Sequence, residues 1–292
     1  MKTVLVLGLV VLLVIGSAVA ASSQTPEWIV YNLDNSGLPS NCVLCLAFDA
    51  QGNIWIGTEG SGLANFDGES WTVYNTGNSG LPCNYILCLA FDEQGNIWIG
   101  TEGGGLAKFD GENWTVYDTD NSGLPHYRVR SLAIDEQGNK WIGTWGGGLA
   151  NFDGENWTVY DTDNSGLPSG CVQALTIDEQ GSLWIGTVRG LAKFDGHNWT
   201  VYDTDNSGLP HDRVRSLAFD EQGNLWIGTI RGGLAKFDGE TWTVYDTGNS
   251  GLPCNYVLCL TFDAQGNLWI GTDGGGLAVY REGGVILTGV QK

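Results

Sequence analysis

A unit of 43 residues repeats along almost the whole chain. Over residues 114–156 it reads WTVYDTDNSGLPHYRVRSLAIDEQGNKWIGTWGGGLANFDGEN. Its first tryptophan recurs at intervals of 43 residues, with a single interval of 42, at Trp28, Trp71, Trp114, Trp157, Trp199 and Trp242. A second tryptophan, in the motif WIG, recurs in step at Trp55, Trp98, Trp141, Trp184, Trp226 and Trp269. A repeat of about 40–50 residues with four strand-like segments is typical of a propeller blade.

Each unit predicts four short strands. An inner strand follows the motif GLP, and the turn D-E-Q-G-N leads to a second strand that contains WIGT. A glycine-rich loop leads to a third strand, LANF, and the turn D-G-E-N leads to the fourth, WTVY. Asp, Asn and Gly suit tight hairpin turns, and β-branched and aromatic residues fill the strands. Six copies of each segment predict an all-β, six-bladed β-propeller of four-stranded antiparallel blades.

The order of the segments predicts how the ring closes. Residues 28–31 form a fourth-strand motif with no earlier strands of its own blade, and the last blade, over residues 257–280, lacks a good fourth strand. We therefore expect the N-terminal strand to pair with the C-terminal blade, which removes the exposed sheet edges. Residues 285–288 are an alternative, degenerate strand for that place. We assign residues 27–282 to the propeller and residues 283–292 to a C-terminal tail or degenerate strand.

The first 20 residues predict a cleaved secretory signal peptide. A lysine precedes an apolar run that is short for a membrane span, and Ala18, Val19 and Ala20 provide small residues for cleavage. We expect residues 21–26 to form a linker and the protein to be secreted or periplasmic, without stable membrane insertion. The excess of 33 Asp and Glu over 13 Lys and Arg disfavours a nucleic acid or an anionic membrane surface as partner.

We predict no metal site and no cofactor. Residues 118–123 are similar to the start of a calcium loop, but the closing glutamate is missing, which favours turns capped by the aspartates. The chain has seven cysteines, an odd number that cannot all pair within one chain. Cys45, Cys88 and Cys259 share a repeat position with small residues, which favours buried thiols. One or two disulfides remain an alternative.

The repeated run GLPxxxVxSLxxDxxGNxWIGTxGGL resembles the two-component-regulator propeller repeat over residues 28–280. That family forms the periplasmic sensor propellers of bacterial hybrid histidine kinases, many of which detect oligosaccharides. The resemblance implies a sensor-like recognition module that is not catalytic. It does not extend to a kinase or receiver, so it implies the sensor role for the module alone.

The copies differ mainly on one predicted face. Successive strands run antiparallel, so the loops of a blade alternate between two faces. The D-E-Q-G-N and D-G-E-N turns share one face and scarcely vary, whereas the segment after GLP and the loop after WIGT share the other face and vary most. Loops around a central channel are common binding sites, so we take this variable face as the candidate site.

The variable face carries six of the seven arginines, all in three consecutive repeats. The other three repeats place acids and tyrosines there, which predicts a dipolar face. Because guanidinium groups match carboxylate and phosphate geometry, the pattern indicates an anionic ligand, with an acidic oligosaccharide as the natural candidate. The predicted ligand-binding residues are Arg128, Arg130, Arg189, Arg213, Arg215, Arg231, Trp145, Tyr85, Tyr256, Glu59, Glu102 and Asp273. The alternative is that these arginines pair with Asp and Glu of neighbouring blades.

Two other functions fit the sequence. His126, His211 and Tyr127 lie beside the arginines and could supply the base of a polysaccharide lyase acting on uronate-containing glycans, with arginine neutralising the carboxylate. The propeller could also be a protein–protein interaction scaffold. The expected partner is therefore a small molecule, an oligosaccharide or a protein, and the oligomeric state stays open.

Overall fold

The chain is a six-bladed β-propeller, as the repeats predict, and the computed structural model describes residues 33–263 and 265–285. Its strands are β1 Val43–Phe48, β2 Ile54–Thr58, β3 Leu63–Phe66, β4 Trp71–Tyr74, β5 Ile86–Phe91, β6 Ile97–Thr101, β7 Leu106–Phe109, β8 Trp114–Tyr117, β9 Val129–Ile134, β10 Lys140–Thr144, β11 Leu149–Phe152, β12 Trp157–Tyr160, β13 Val172–Ile177, β14 Leu183–Thr187, β15 Gly190–Phe194, β16 Trp199–Tyr202, β17 Val214–Phe219, β18 Leu225–Thr229, β19 Leu234–Phe237, β20 Trp242–Tyr245, β21 Val257–Phe262, β22 Leu268–Thr272 and β23 Gly276–Tyr280.

Each blade is an antiparallel sheet whose strands follow chain order. The first five blades, β1–β4, β5–β8, β9–β12, β13–β16 and β17–β20, have four strands, and the sixth has three in the described residues, β21–β23. The inner strands of consecutive blades lie side by side and form the wall of the central channel. The signal peptide, the linker, the closing strand at residues 28–31 and most of the alternative strand at 285–288 lie outside the described residues.

The turn between the first two strands of each blade is held by one aspartate. In the second blade, Asp92 accepts hydrogen bonds from the backbone N–H groups of Gln94 and Asn96. Its Oδ2 also accepts the indole N–H of Trp98 at 2.9 Å, and Trp98 is buried. Gly95 takes a φ of 81°, which favours glycine at this place. The D-E-Q-G-N turn therefore both closes a hairpin and satisfies a buried indole donor.

The core lies between the blades and combines buried aliphatic side chains with a repeated set of aromatic contacts. The tryptophan that opens the fourth strand stacks on the phenylalanine of the third, as Trp114 does on Phe109 with ring centroids 4.6 Å apart. The tryptophan of the WIG motif reaches the next blade, where Trp55 meets the edge of Phe91 at 6.1 Å. In the described residues, the two repeating tryptophan positions therefore pack in the core between the blades.

The inner strand of every blade carries a bulge at its second residue. In the third blade, for example, the pairing steps from Val129 opposite Thr144 to Ser131 opposite Gly143, so Arg130 has no partner across the sheet. The bulge frees one side chain per blade to leave the sheet toward the channel. The bulge position therefore determines which inner-strand side chains reach the candidate site.

The junction between the sixth and first blades differs from the other five. Val43 is 42% exposed, whereas the residue at its position in every other blade is fully buried. Leu277 is 58% exposed, whereas its counterparts are at most 2% exposed. Phe48, at the place where Phe91 meets Trp55, is 67% exposed. These side chains are the two halves of a blade interface, and the strand expected to complete it lies outside the described residues.

Candidate functional site

The two variable segments of each blade are held together by backbone hydrogen bonds. In the third blade the N–H of Trp145, after WIGT, donates to the carbonyl of Arg128, after GLP, at 3.1 Å. In the fifth blade the N–H of Ile230 donates to the carbonyl of Arg213 at 2.9 Å. The most variable positions of the sequence therefore lie next to each other at one end of the channel.

The first residue after GLP caps the turn into the inner strand. Nδ1 of His126 accepts the backbone N–H of Arg128 at 3.0 Å, and Nδ1 of His211 accepts that of Arg213 at 3.0 Å. Ser169 performs the same task in the fourth blade with its hydroxyl oxygen. Burial, and then the nearby Arg128, lower the pKa of His126. Both histidines thus hold a turn, and one nitrogen of each ring is engaged in doing so.

A cavity of about 340 Å³ opens at this end of the channel, and residues of the third, fourth, fifth and sixth blades line it. It contains six of the twelve predicted ligand-binding residues together with four that the sequence analysis did not select and one buried valine. Its lining residues are Arg130, Trp145, Gln173, Val188, Arg213, Val214, Arg215, Ile230, Tyr256, Leu258 and Asp273. The structure thus brings together three of the six predicted arginines, both predicted aromatic residues of this region and one acid of the other half.

Two bulge residues of the cavity wall are hydrogen-bonded across a blade junction. Arg215 donates from Nη1 to Oε1 of Gln173 at 2.7 Å. Because a guanidinium can only donate, the amide oxygen must face Arg215, which leaves the amide nitrogen on the other side. Burial lowers the pKa of Arg215, and the nearby charge of Arg130 adds to this shift. A guanidinium group is not deprotonated in proteins, so Arg130 and Arg215 both remain cations at neutral pH.

The buried polar atoms of the cavity wall that lack a partner are donors. Nε of Arg130 and Nε2 of Gln173 are buried and make no hydrogen bond in the structure. Among the described residues, no carboxylate forms an ion pair with Arg213 or Arg215. Since buried donors are normally satisfied, these two donors require an acceptor that the wall does not supply. Asp273 is the one carboxylate among the lining residues, and it forms no ion pair with Arg213 or Arg215.

Part of the arginine cluster does pair with an acid of the neighbouring blade. Nη2 of Arg128 lies 2.7 Å from Glu102 Oε1, and Nη2 of Arg130 lies 3.9 Å from Glu102 Oε2. The guanidinium of Arg130 also lies 4.6 Å from the ring centroid of Trp145, and that of Arg128 lies 5.9 Å from it. The alternative of simple pairing between blades therefore holds for Arg128 and in part for Arg130, but for no other predicted arginine in the described residues.

Arg231 lies beside the cavity. Its Nε donates a hydrogen bond to the hydroxyl of Tyr256 at 2.7 Å. Its backbone φ is 83°, an uncommon value for a residue other than glycine. Tyr256 lines the cavity, so Arg231 fixes the position of a wall residue. The predicted residues Arg189, Glu59 and Tyr85 are exposed and do not line the cavity.

Four lining residues were missed by reasoning from the loops. Gln173 and Leu258 occupy the same bulge position as Arg130 and Arg215, in other blades. Val188 and Ile230 follow WIGT in the fourth and fifth blades. For Gln173 and Leu258, a comparison of the second residue of each inner strand would have indicated a variable position. The residues at this position are Leu44, Leu87, Arg130, Gln173, Arg215 and Leu258.

No group of three metal-ligating side chains occurs in the described parts of the chain. The segment similar to a calcium loop forms aspartate-capped turns, because Asp118 Oδ1 accepts the N–H groups of Asp120 and Asn121. All seven cysteines are free thiols in the structure. Burial raises the pKa of Cys45 to about 12, which is consistent with an unreactive thiol. No helix within residues 33–263 and 265–285 is long and apolar enough to cross a membrane.

Comparisons with known proteins agree with this architecture. The model of the two component regulator propeller matches residues 37–60, 80–103, 123–146, 166–189, 208–231 and 251–274. The extracellular domain of a putative hybrid two-component system from B. thetaiotaomicron is 27% identical with a TM-score of 0.74, over 82% of this chain and 33% of that one. This chain thus spans about a third of the length of that sensor domain. No curated protein sequence matches this chain.

Two further solved structures share the fold. PorZ, a surface component of the type-IX secretion system of Porphyromonas gingivalis, is 18% identical with a TM-score of 0.65, over 82% of this chain and 38% of that one. Virginiamycin B lyase from Staphylococcus aureus is 13% identical with a TM-score of 0.65, over 85% of this chain and 86% of that one. At these identities the likeness concerns the fold alone. Each of the six family matches lies in one blade and covers its first two strands. The chain is therefore built from six repeats of the two-component regulator propeller family.

Proposed function

We propose that this propeller is an exported, non-catalytic recognition module that binds an anionic ligand in the cavity at the channel mouth. The observation that carries the proposal is the wall of Arg130, Gln173, Arg213 and Arg215. It presents two buried donors without a partner and two cations without a carboxylate. A ligand carboxylate or sulfate would supply the missing acceptors and charge.

An acidic oligosaccharide is the first candidate ligand. Trp145 and Tyr256 line the same cavity and provide flat apolar surfaces beside the arginines, which suits the ring faces of a sugar. The cavity volume of about 340 Å³ accommodates a ligand of one or two rings. The relation to extracellular sensor domains of two-component systems supports a role in detecting an external compound.

Calorimetric titration with uronate oligosaccharides and with neutral oligosaccharides of equal length tests the proposal. We expect saturable binding of the acidic series alone, with an affinity that falls as salt is raised. Arg215→Gln should weaken binding about tenfold or more, because it removes a charged donor from a buried wall. Arg281→Gln, which changes the one arginine that is not on the variable face, is the matched control and should bind as the native protein does. Equal binding of both series, or none of either, would sink the proposal.

The lyase remains the alternative for the same face. Neither His126 nor His211 lines the cavity, and Nδ1 of each ring is hydrogen-bonded within its turn. A base would therefore have to act through Nε2 from outside the arginine wall. Incubation with polyuronates and measurement of absorbance from an unsaturated product distinguishes this alternative from binding without turnover. A scaffold role would instead leave all sugars without effect on thermal stability.

A further inference from the structure

The six bulge residues of the inner strands form a ring around the channel that is polar on one side and apolar on the other. Arg130, Gln173 and Arg215 come from the third, fourth and fifth blades. The same position holds Leu258, Leu44 and Leu87 in the sixth, first and second blades, which follow one another around the ring. The two kinds of residue are thus not mixed but occupy opposite halves of the channel wall.

One residue of the apolar half shares a cavity with the polar half. Leu258 lines the same cavity as Arg130, Gln173 and Arg215. Leu258 is 38% exposed, although it belongs to an inner strand. An exposed leucine in a cavity gains from contact with an apolar group, since removing its surface from water is favourable. Leu44 and Leu87 hold the same bulge position in the two blades that follow Leu258 around the ring.

We infer that the ligand of this cavity is an amphipathic organic anion, whose acidic group contacts Arg215, Gln173 and Arg213 and whose apolar chain or ring lies on Leu258, Leu44 and Leu87. This inference rests on the proposed anion-binding function and adds a requirement to it. A simple inorganic anion or a uniformly polar acidic sugar would satisfy the arginine side and leave the leucine side in water. A ligand with both parts uses the whole ring.

The test is a series of straight-chain carboxylates from acetate through butanoate and hexanoate to octanoate, titrated into the purified protein. Each buried methylene should tighten binding about two- to fourfold until the apolar half is covered. Octan-1-ol, which has the chain without the charge, should bind at least tenfold more weakly than octanoate.

Two variants test which part of the ligand contacts the polar half of the ring and which part contacts the apolar half. Arg215→Gln should weaken every member of the series by a similar factor. Leu258→Ser should leave acetate binding unchanged and reduce the gain for each methylene, and unchanged acetate binding also shows that this variant is folded. Leu33→Ser, in the exposed turn before the first blade and outside the cavity, is the matched control and should leave the series unchanged.

Three outcomes overturn the inference and differ in what they mean for the proposed function. If uronates and acetate bind through Arg215 but affinity does not rise with chain length, the ligand is not amphipathic and the anion site stands. If affinity rises with chain length but responds to Leu33→Ser and not to Leu258→Ser, the chains bind an exposed apolar surface outside the cavity. If neither uronates nor any carboxylate binds, both the inference and the proposed function fail.

Discussion

Arg215 donates a hydrogen bond of 2.7 Å to Gln173 across the junction of the fourth and fifth blades. The two side chains come from different repeats and meet because both occupy the bulge of an inner strand. The bond fixes the guanidinium over the channel and leaves the Gln173 amide nitrogen unpartnered and facing away from Arg215. The pair therefore holds the positive charge of Arg215 in one orientation and places the neutral amide donor of Gln173 beside it.

We therefore predict that Gln173→Leu weakens anion binding about fivefold, which is the loss of about one hydrogen bond. The change keeps the approximate size of the side chain and removes both the acceptor for Arg215 and the free donor. Titration with the anion that binds the native protein measures the effect, and the melting temperature should change little. An unchanged affinity would mean that the Gln173 amide does not contact the ligand and that Arg215 needs no orienting partner.

Glu102→Gln should have the opposite effect on binding. Glu102 pairs with Arg128 and lies 3.9 Å from Arg130, so it neutralises part of the cationic wall. Its removal should raise anion affinity several-fold at low salt, and the gain should shrink as salt is added. Stability should fall by less than about 1 kcal/mol, because both partners are about 30% exposed. Glu59→Gln, in the corresponding loop of the first blade, is the control that should leave affinity unchanged.

Asp220→Ala should destabilise the protein without affecting the variable face. Asp220 accepts the indole N–H of the buried Trp226 at 2.9 Å and two backbone N–H groups of its turn. The free energy of unfolding should fall by about 2 kcal/mol, since a buried donor loses its acceptor. Asp203→Ala, which removes only exposed backbone contacts, should cost clearly less. Equal losses in the two variants, measured by chemical denaturation, would contradict a special role for the aspartate–indole bond.

Acid should destabilise the propeller between about pH 4 and pH 2. Backbone N–H groups of the turns between the third and fourth strands lower the pKa of Asp67 and of Asp195 from 3.8 to about 2. A carboxyl whose pKa is lower in the folded state stabilises the protein above its unfolded pKa, and that contribution is lost as the pH falls through the folded pKa. Melting temperatures measured from pH 7 to pH 2 should therefore be nearly constant down to about pH 4 and then decline. The Asp67→Asn, Asp195→Asn double variant should show a shallower decline, and a native curve that stays flat to pH 2 would refute the prediction.

The repeat period predicts the fold because every blade buries residues at the same repeat positions. Trp114, for example, makes the same stacking contact in its blade as its counterparts make in theirs. The candidate site is less predictable, since it depends on where single residues point. His126 and His211 looked like a base beside arginines, and only the structure reveals the Nδ1 bonds that tie them to their turns. Gln173 was overlooked because it carries no charge, although it occupies the same bulge position as the predicted residues Arg130 and Arg215.

The closing strand stays a prediction, and among the described residues no side chain occupies its place in the sixth blade. In the first five blades, the glycine before LP lies against the tryptophan of the fourth strand, as Gly208 does against Trp242, whereas no described residue lies within 4 Å of the corresponding place at Gly251. The glycine at the start of the third strand likewise meets a tyrosine carbonyl in those five blades, whereas Gly276 meets no described residue. If residues 28–31 form the fourth strand of this blade, Trp28→Ala should lower the free energy of unfolding by about 3 kcal/mol, and Trp242→Ala should have an equal effect. If instead Trp28→Ala has no effect while removal of residues 285–292 does, then the C-terminal segment supplies the fourth strand and the ring closes from its other end.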